Sequence, residues 1–110
     1  MIIELLHIDD CPSWQEGLKN LKTALEAEGL KADIRLVRVQ DDAEADRLKF
    51  LGSPSFYLDG EDLWNEERNR YNMNCRIYAT PQGLKGCPTV DMLREKLHTH
   101  VTKKVRSSHV

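Results

Sequence analysis

Cys11 stands in the most informative local pattern of this chain, which has three cysteines in all. It follows the apolar run at residues 2–8, which predicts a buried strand, and it precedes an amphipathic segment that predicts a helix. A cysteine at such a junction lies near the unpaired N–H groups and the positive dipole end of the helix. Those groups stabilise a thiolate, so we expect the pKa of Cys11 to be lowered and its sulfur to act as a nucleophile.

Two different caps fit the start of this helix. Ser13 and Glu16 are spaced as a capping box, which would place Cys11 two residues before the helix and weaken its activation. With Cys11 itself at the cap, Pro12 falls at the first helical position, where proline is favoured. The aspartates that precede Cys11 act against activation, because a carboxylate raises the pKa of a nearby thiol. The residues alone leave both caps open.

Apolar periodicity along the chain predicts the element order β-α-β-α-β-β-α. The predicted strands cover residues 2–8, 34–39, 55–58 and 76–79, and the predicted helices cover 13–28, 41–52 and 89–101. A helix between two neighbouring strands allows a right-handed crossover, so we expect the first two strands to pair in parallel. Residues 61–74 lack helical periodicity and are predicted to be a loop, which makes the last two strands antiparallel. Residues 80–87 are predicted to be a turn region.

Length and composition restrict the class of protein. The 110 residues fit one domain, which we assign to residues 1–102, followed by a flexible basic tail at residues 103–110. The net charge of −2 gives no reason to expect a nucleic-acid partner. No apolar run approaches the roughly 20 residues that span a bilayer, so no membrane partner is expected. The start lacks a basic signal region, and three cysteines do not make a secreted disulfide framework, so we expect a cytoplasmic location.

Two motifs resemble those of the thioredoxin-like superfamily. Cys11-Pro12-Ser13-Trp14 stands where those proteins carry Cys-x-x-Cys, and Gly52-Ser53-Pro54-Ser55 is similar to their cis-proline motif. The resemblance covers residues 2–101 and implies a thioredoxin-like α/β fold with a mixed four-stranded sheet. It implies that the cis-proline faces Cys11 and that the backbone before it pairs with an extended substrate. The residues that it places at the substrate are Pro12, Ser13, Trp14, Ser53 and Pro54.

The chain departs from that family at Trp14, which replaces the second cysteine of the motif. Cys11 is therefore expected to act as a monothiol nucleophile, with a resolving thiol elsewhere. Cys75 and Cys87 are the candidates, although Cys75 also fits a plain strand position and Cys87 a plain turn. Gly86-Cys87 is similar to the glutaredoxin Gly-Cys-Asp motif that binds glutathione, but Pro88 replaces the aspartate and removes a backbone donor. Glutathione is the candidate cofactor.

Cys75-Arg76-Ile77-Tyr78 is similar to a Cys-Arg-x-Tyr pattern in small bacterial thioredoxin-like proteins, some of which are labelled alkylmercury lyase. The first hypothesis is therefore a thiol–disulfide exchange protein acting on a protein or small-molecule thiol or disulfide. The second is a non-catalytic module that binds a peptide or protein along the cis-proline groove. The third is soft-metal or organomercurial handling through paired thiols. No Cys-x-x-Cys spacing joins His7 and the cysteines into a ligand set, so no metal site is predicted.

Overall fold

The chain forms a mixed four-stranded sheet, three helices and a separate hairpin in a computed structural model that describes residues 1–68 and 70–107. The α/β class and the mixed four-stranded sheet predicted from the sequence are confirmed. The elements in chain order are β1 (Ile2–His7), α1 (Ser13–Ala27), β2 (Asp33–Arg38), α2 (Asp42–Leu48), β3 (Ser55–Leu58), β4 (Glu61–Asp62), β5 (Tyr78–Thr80), β6 (Gly83–Lys85) and α3 (Val90–Ser107).

The sheet has the strand order β2-β1-β3-β4, with β1 in the interior. β1 pairs in parallel with β2, where Ile2 lies opposite Asp33, and antiparallel with β3, where Leu5 lies opposite Phe56. The predicted parallel pairing of the first two strands is therefore confirmed. Apolar clusters cover both faces of β1, with Ile3 and Leu5 in one and Leu6 in the other, which explains why β1 is an almost continuous apolar run.

The fourth strand of the sheet differs from the prediction. The sequence predicts a loop over residues 61–74 and a strand over residues 76–79, but β4 lies at the start of that loop. The turn at Asp59 and Gly60, with φ of 51° and 91°, returns the chain directly beside β3. Residues 78–80, which overlap the predicted strand, pair instead with residues 83–85 of the predicted turn region and form a separate hairpin. A strand of two residues has no periodicity by which a sequence could reveal it.

Each face of the sheet has its own core, because successive side chains of β1 point to opposite faces. Ile3 and Leu5 pack with α1, β3 and α3, in a cluster that also contains Leu21, Ala24, Leu25, Phe56, Leu58, Tyr78, Leu93 and Leu97. Leu6 and Ile8 pack on the other face with Cys11, Val39, Ala45 and Phe50. Cys11 is therefore part of the second core, although it lies outside the regular elements.

The last helix, α3, extends beyond the predicted end at residue 101 and reaches Ser107. The first part of the predicted tail, residues 103–107, is therefore helical, and residues 108–110 lie outside the described residues. The flexibility of the tail stays a prediction. Of the helices in residues 1–68 and 70–107, none has the length and apolar content needed to cross a membrane.

Candidate active site

Cys11 lies immediately before the first turn of α1. Pro12 has φ of −72° and ψ of −18°, which are helical dihedral angles, and no side chain of the described residues caps it with a hydrogen bond. Ser13 is already inside the helix, and the capping box with Glu16 is not formed in the described chain. The cap is Pro12 itself, so neither predicted start is adopted, because one has its cap at Ser13 and the other at Cys11. The activation of Cys11 by the helix stays a prediction.

The Cys11 side chain is closed off from solvent. Its residue is 1% exposed, and its thiol donates a hydrogen bond to the carbonyl oxygen of Ser53, with 3.3 Å between Sγ and oxygen. The sequence resemblance placed Ser53 and Pro54 beside Cys11, and the structure brings Ser53 into direct contact with it. In this conformation, a substrate outside the protein has no open approach to the Cys11 sulfur.

Ser53 and Pro54 are held from several sides. The peptide bond between them is cis. The Ser53 hydroxyl accepts a hydrogen bond from the Ile8 N–H at 3.1 Å, and the Tyr78 hydroxyl donates one to the Pro54 carbonyl at 2.5 Å. Ile8 and Tyr78 both belong to the core, so these hydrogen bonds fix the position of the Ser53 carbonyl, which accepts the hydrogen bond of the Cys11 thiol.

A short piece of chain, residues 74–76, lies along Ser53, and we call it the Cys75 segment. The Ser53 N–H donates to the Asn74 carbonyl at 2.8 Å, and the Arg76 N–H donates to the Ser53 carbonyl at 2.9 Å. These bonds make an isolated parallel bridge between Ser53 and Cys75. The Cys75 thiol, which is exposed, thereby comes into contact with the buried Cys11 thiol. The fold thus brings together two cysteines that are far apart in sequence.

The contacts of the Cys75 thiol act on its ionisation. Partial burial of the sulfur raises the pKa of Cys75, and the hydrogen-bonding contact with Cys11 raises it further. The carboxylate of Asp10 acts in the same direction, because it repels a negative charge on the thiolate. Cys75 therefore carries its proton more firmly than a free cysteine does.

Arg76 fastens the Cys75 segment to the sheet. Its guanidinium donates to the Asp62 carboxylate at 2.9 Å, to the Ser55 hydroxyl at 3.0 Å and to the Trp64 carbonyl. The Arg76 and Asp62 side chains are only 6% and 4% exposed. A buried charge that loses its partner is strongly unfavourable, so this ion pair keeps the segment in place.

Gly52 allows the close approach of Arg76. Its φ is 121°, in the region that favours glycine, and a Cβ at this position would lie 2.8 Å from the Arg76 Cβ. Real Cβ atoms do not approach each other so closely. The glycine of the predicted Gly-Ser-Pro motif therefore serves the packing of the Cys75 segment.

Cys87 lies three residues before α3, and it is 7% exposed. Asn20 donates from Nδ2 to the Pro88 carbonyl at 2.9 Å and also lies 3.9 Å from the Cys87 sulfur. Burial, followed by the carboxylate of Glu16, raises the pKa of Cys87 to about 11. Cys87 is therefore protonated at neutral pH and behaves as a buried apolar side chain.

The turn before Cys87 packs tightly on α1. A Cβ at Gly86 would lie 2.8 Å from the Ser13 Cβ, so only glycine allows this approach. Pro88 has no N–H to offer a ligand. The turn thus serves to pack α3 against α1 in this structure, and glutathione binding stays a prediction.

Trp14 stacks on His7 rather than on a cysteine. The ring centroids are 4.1 Å apart and the rings are inclined by 19°. Burial lowers the pKa of His7, with opposing effects from the Asp9 carboxylate and the Arg38 guanidinium. The His7 Nδ1 atom has no hydrogen-bond partner within the described residues. His7 is therefore a neutral, packed ring that ends β1.

Two of the residues that position the site were not among the predicted site residues. Arg76 occurs in the Cys-Arg-x-Tyr resemblance, which is the one signal that pointed to it. Asp62 lies in a stretch predicted as a loop, and no local pattern marks it as the partner of Arg76. Among the side chains of the described residues, no group of three or more His, Cys, Asp or Glu is arranged to hold a metal ion.

Comparisons with known proteins found no relative. A scan against protein-family models, a search of curated proteins and a search of solved structures each returned no match. What the fold and the site define is a small α/β domain that holds an exposed thiol against a buried one.

Proposed function

We propose that this protein is a thioredoxin-like thiol–disulfide exchange protein whose redox pair is Cys11 and Cys75. The observation that carries the proposal is the bridge between Ser53 and Cys75, which holds the two thiols in contact. The thioredoxin-like assignment draws support from the strand order β2-β1-β3-β4 and from the position of Cys11 before α1. It also draws support from Pro54, which lies directly before β3.

Exchange by this pair takes two displacement steps. One protein thiolate attacks a sulfur of the substrate disulfide, forms a mixed disulfide and releases the first substrate thiolate. The second protein thiolate attacks the protein sulfur of the mixed disulfide, forms the Cys11–Cys75 bond and releases the other substrate thiolate. The protein dithiol loses two electrons and two protons, and the substrate disulfide takes them up and leaves as two thiols.

The alternative of a non-catalytic peptide-binding module has less support. Such a module would use the backbone of Ser53 to pair with an extended partner. The N–H and carbonyl of Ser53 are already hydrogen-bonded to Asn74 and Arg76 of the same chain. An extended partner would have to displace the Cys75 segment and break the buried Arg76–Asp62 pair.

The proposal is tested by finding which disulfide the protein forms. The reduced protein is equilibrated in mixtures of reduced and oxidised dithiothreitol, quenched with acid, alkylated and analysed by peptide mass spectrometry. We expect an internal bond between Cys11 and Cys75, which is lost in Cys11→Ser and in Cys75→Ser. The matched control is Cys87→Ser, which should keep the bond. If no internal disulfide forms at any ratio, or if the bond contains Cys87, the proposal is wrong.

A further inference from the structure

We infer that Cys75 is the cysteine that attacks the substrate disulfide and that Cys11 resolves the mixed disulfide. This inference rests on the proposed function and assigns the order of its two steps. It reverses the roles predicted from the sequence, in which Cys11 is the nucleophile. The sulfur that a substrate can reach from solvent is that of Cys75, whereas Cys11 is 1% exposed.

The covering of Cys11 is built into the fold. The thiol lies in the second core with Leu6, Ile8 and Phe50, and its hydrogen bond points inward to the Ser53 carbonyl. The Cys75 segment lies against this thiol and is held by two backbone hydrogen bonds. Since Arg76 anchors that segment through a buried ion pair, uncovering Cys11 requires a local opening that breaks this pair.

A first attack by Cys75 needs no such opening. Its thiolate approaches one sulfur of an external disulfide, R–S–S–R, forms Cys75–S–S–R and releases RS⁻. The Cys75 sulfur is then still held against Cys11 by the bridge to Ser53. The RS⁻ released in the first step takes the proton of the Cys11 thiol, and Cys11 then attacks the Cys75 sulfur, forms the internal disulfide and releases the second RS⁻.

The second step benefits from proximity. Both sulfurs belong to one chain and lie on either side of the Ser53–Cys75 bridge, so the resolving attack is intramolecular and does not depend on substrate concentration. The elevated pKa of Cys75 makes the first step pH-dependent, because only the thiolate attacks. The first step should therefore accelerate as the pH rises through and above 9, the ordinary cysteine value from which the Cys75 pKa is raised.

The test uses bis(2-hydroxyethyl) disulfide, a neutral probe that the nearby Asp10 carboxylate neither attracts nor repels. All proteins carry Cys87→Ser, and the parent is compared with Cys11→Ala, Cys11→Ser and Cys75→Ser. Adducts are quenched with acid at timed intervals and located by peptide mass spectrometry. Circular dichroism establishes that each variant is folded. Two substitutions of Cys11 are used so that the test can still be made if one of them unfolds the core.

The expected result is a stable adduct on Cys75 in the Cys11 variants, formed at a rate within about threefold of the first step in the parent. In Cys75→Ser, adduct formation on Cys11 should be at least about tenfold slower, because it waits for local opening. An equal or faster reaction of Cys11 in Cys75→Ser overturns the inference, while the internal disulfide of the parent still supports the proposed function. A parent that accumulates adducts and never forms the internal disulfide overturns both.

Discussion

Replacing Asp62 by asparagine tests whether a buried ion pair holds the Cys75 segment against Cys11. The substitution keeps the size of the side chain and removes its charge. Arg76 then keeps its hydrogen bonds to the Ser55 hydroxyl and the Trp64 carbonyl, but its buried charge loses the Asp62 carboxylate as its counter-ion. Both side chains of the pair are less than one-tenth exposed, so solvent cannot replace the carboxylate.

The expected loss of stability follows from that burial. Removing one partner of a buried ion pair costs about 3–5 kcal/mol, because the remaining charge stays desolvated. A domain of this size has a total stability of about 5–15 kcal/mol, so the loss is a large fraction of the whole. Each kcal/mol lowers the Tm by about 4–8 °C, and Asp62→Asn should therefore lower it by more than about 12 °C.

The assay is urea unfolding of the reduced protein, followed by circular dichroism, with Asp33→Asn as the matched control. Asp33 pairs with Arg35 at 3.1 Å, but the two side chains are 60% and 58% exposed. An exposed pair contributes about 0–1 kcal/mol, so the control should stay close to the parent. A second measurement is the Cys11–Cys75 disulfide equilibrium with dithiothreitol, which should shift towards the dithiol when the segment is released.

The reasoning is refuted if Asp62→Asn loses no more stability than Asp33→Asn. That outcome would mean that the Arg76 guanidinium is stabilised by its neutral acceptors alone. It would also remove the argument that Cys11 is uncovered only at the cost of the ion pair. A loss of stability with an unchanged disulfide equilibrium would refute the positioning role alone.

Three further predictions address the glycine, the second buried thiol and the histidine of this site. Backbone strain alone costs a substitution at a positive φ about 1–3 kcal/mol, and Gly52→Ala should lower the free energy of unfolding by more than this, because its Cβ would lie 2.8 Å from Arg76. The control is Gly60→Ala, which should show the strain alone, because Gly60 has φ of 91° and no heavy atom of the described chain outside its immediate neighbours within 4 Å. Equal losses in urea unfolding would contradict the contact. Since burial raises the pKa of Cys87 to about 11, its alkylation by iodoacetamide in the folded protein should be slow at pH 8 and rise with pH up to that value, whereas a plateau below pH 9 would disprove the shift. The pKa of His7 is lowered in the folded protein, so the unfolded chain binds the His7 proton more tightly and the free energy of unfolding should fall as the pH drops below 6.5. His7→Phe should reduce this dependence of stability on pH, and an equal dependence in both proteins would contradict the lowered pKa.

The elements predicted from the sequence are those with a repeating local pattern. The apolar run of β1 and the helical spacing of Trp14, Leu21 and Leu25 in α1 reflect which face each residue buries, and periodicity reveals that directly. β4 was not predicted, because two residues show no period. The strand predicted over residues 76–79 starts two residues too early, and its partner is the hairpin strand β6 rather than the sheet. Pairing partners are chosen by the whole fold.

The sequence by itself determined that Cys11 precedes a helix and that Gly52, Ser53 and Pro54 precede a strand, because these are properties of neighbouring residues. Only the tertiary structure decided that Cys11 is buried and Cys75 exposed. It also decided that Cys75 lies against Cys11, through a backbone bridge to Ser53 and the ion pair of Arg76. Hydrogen bonds and ion pairs between segments distant in sequence depend on the tertiary fold. A fold that buries a charged side chain must also place an oppositely charged side chain beside it.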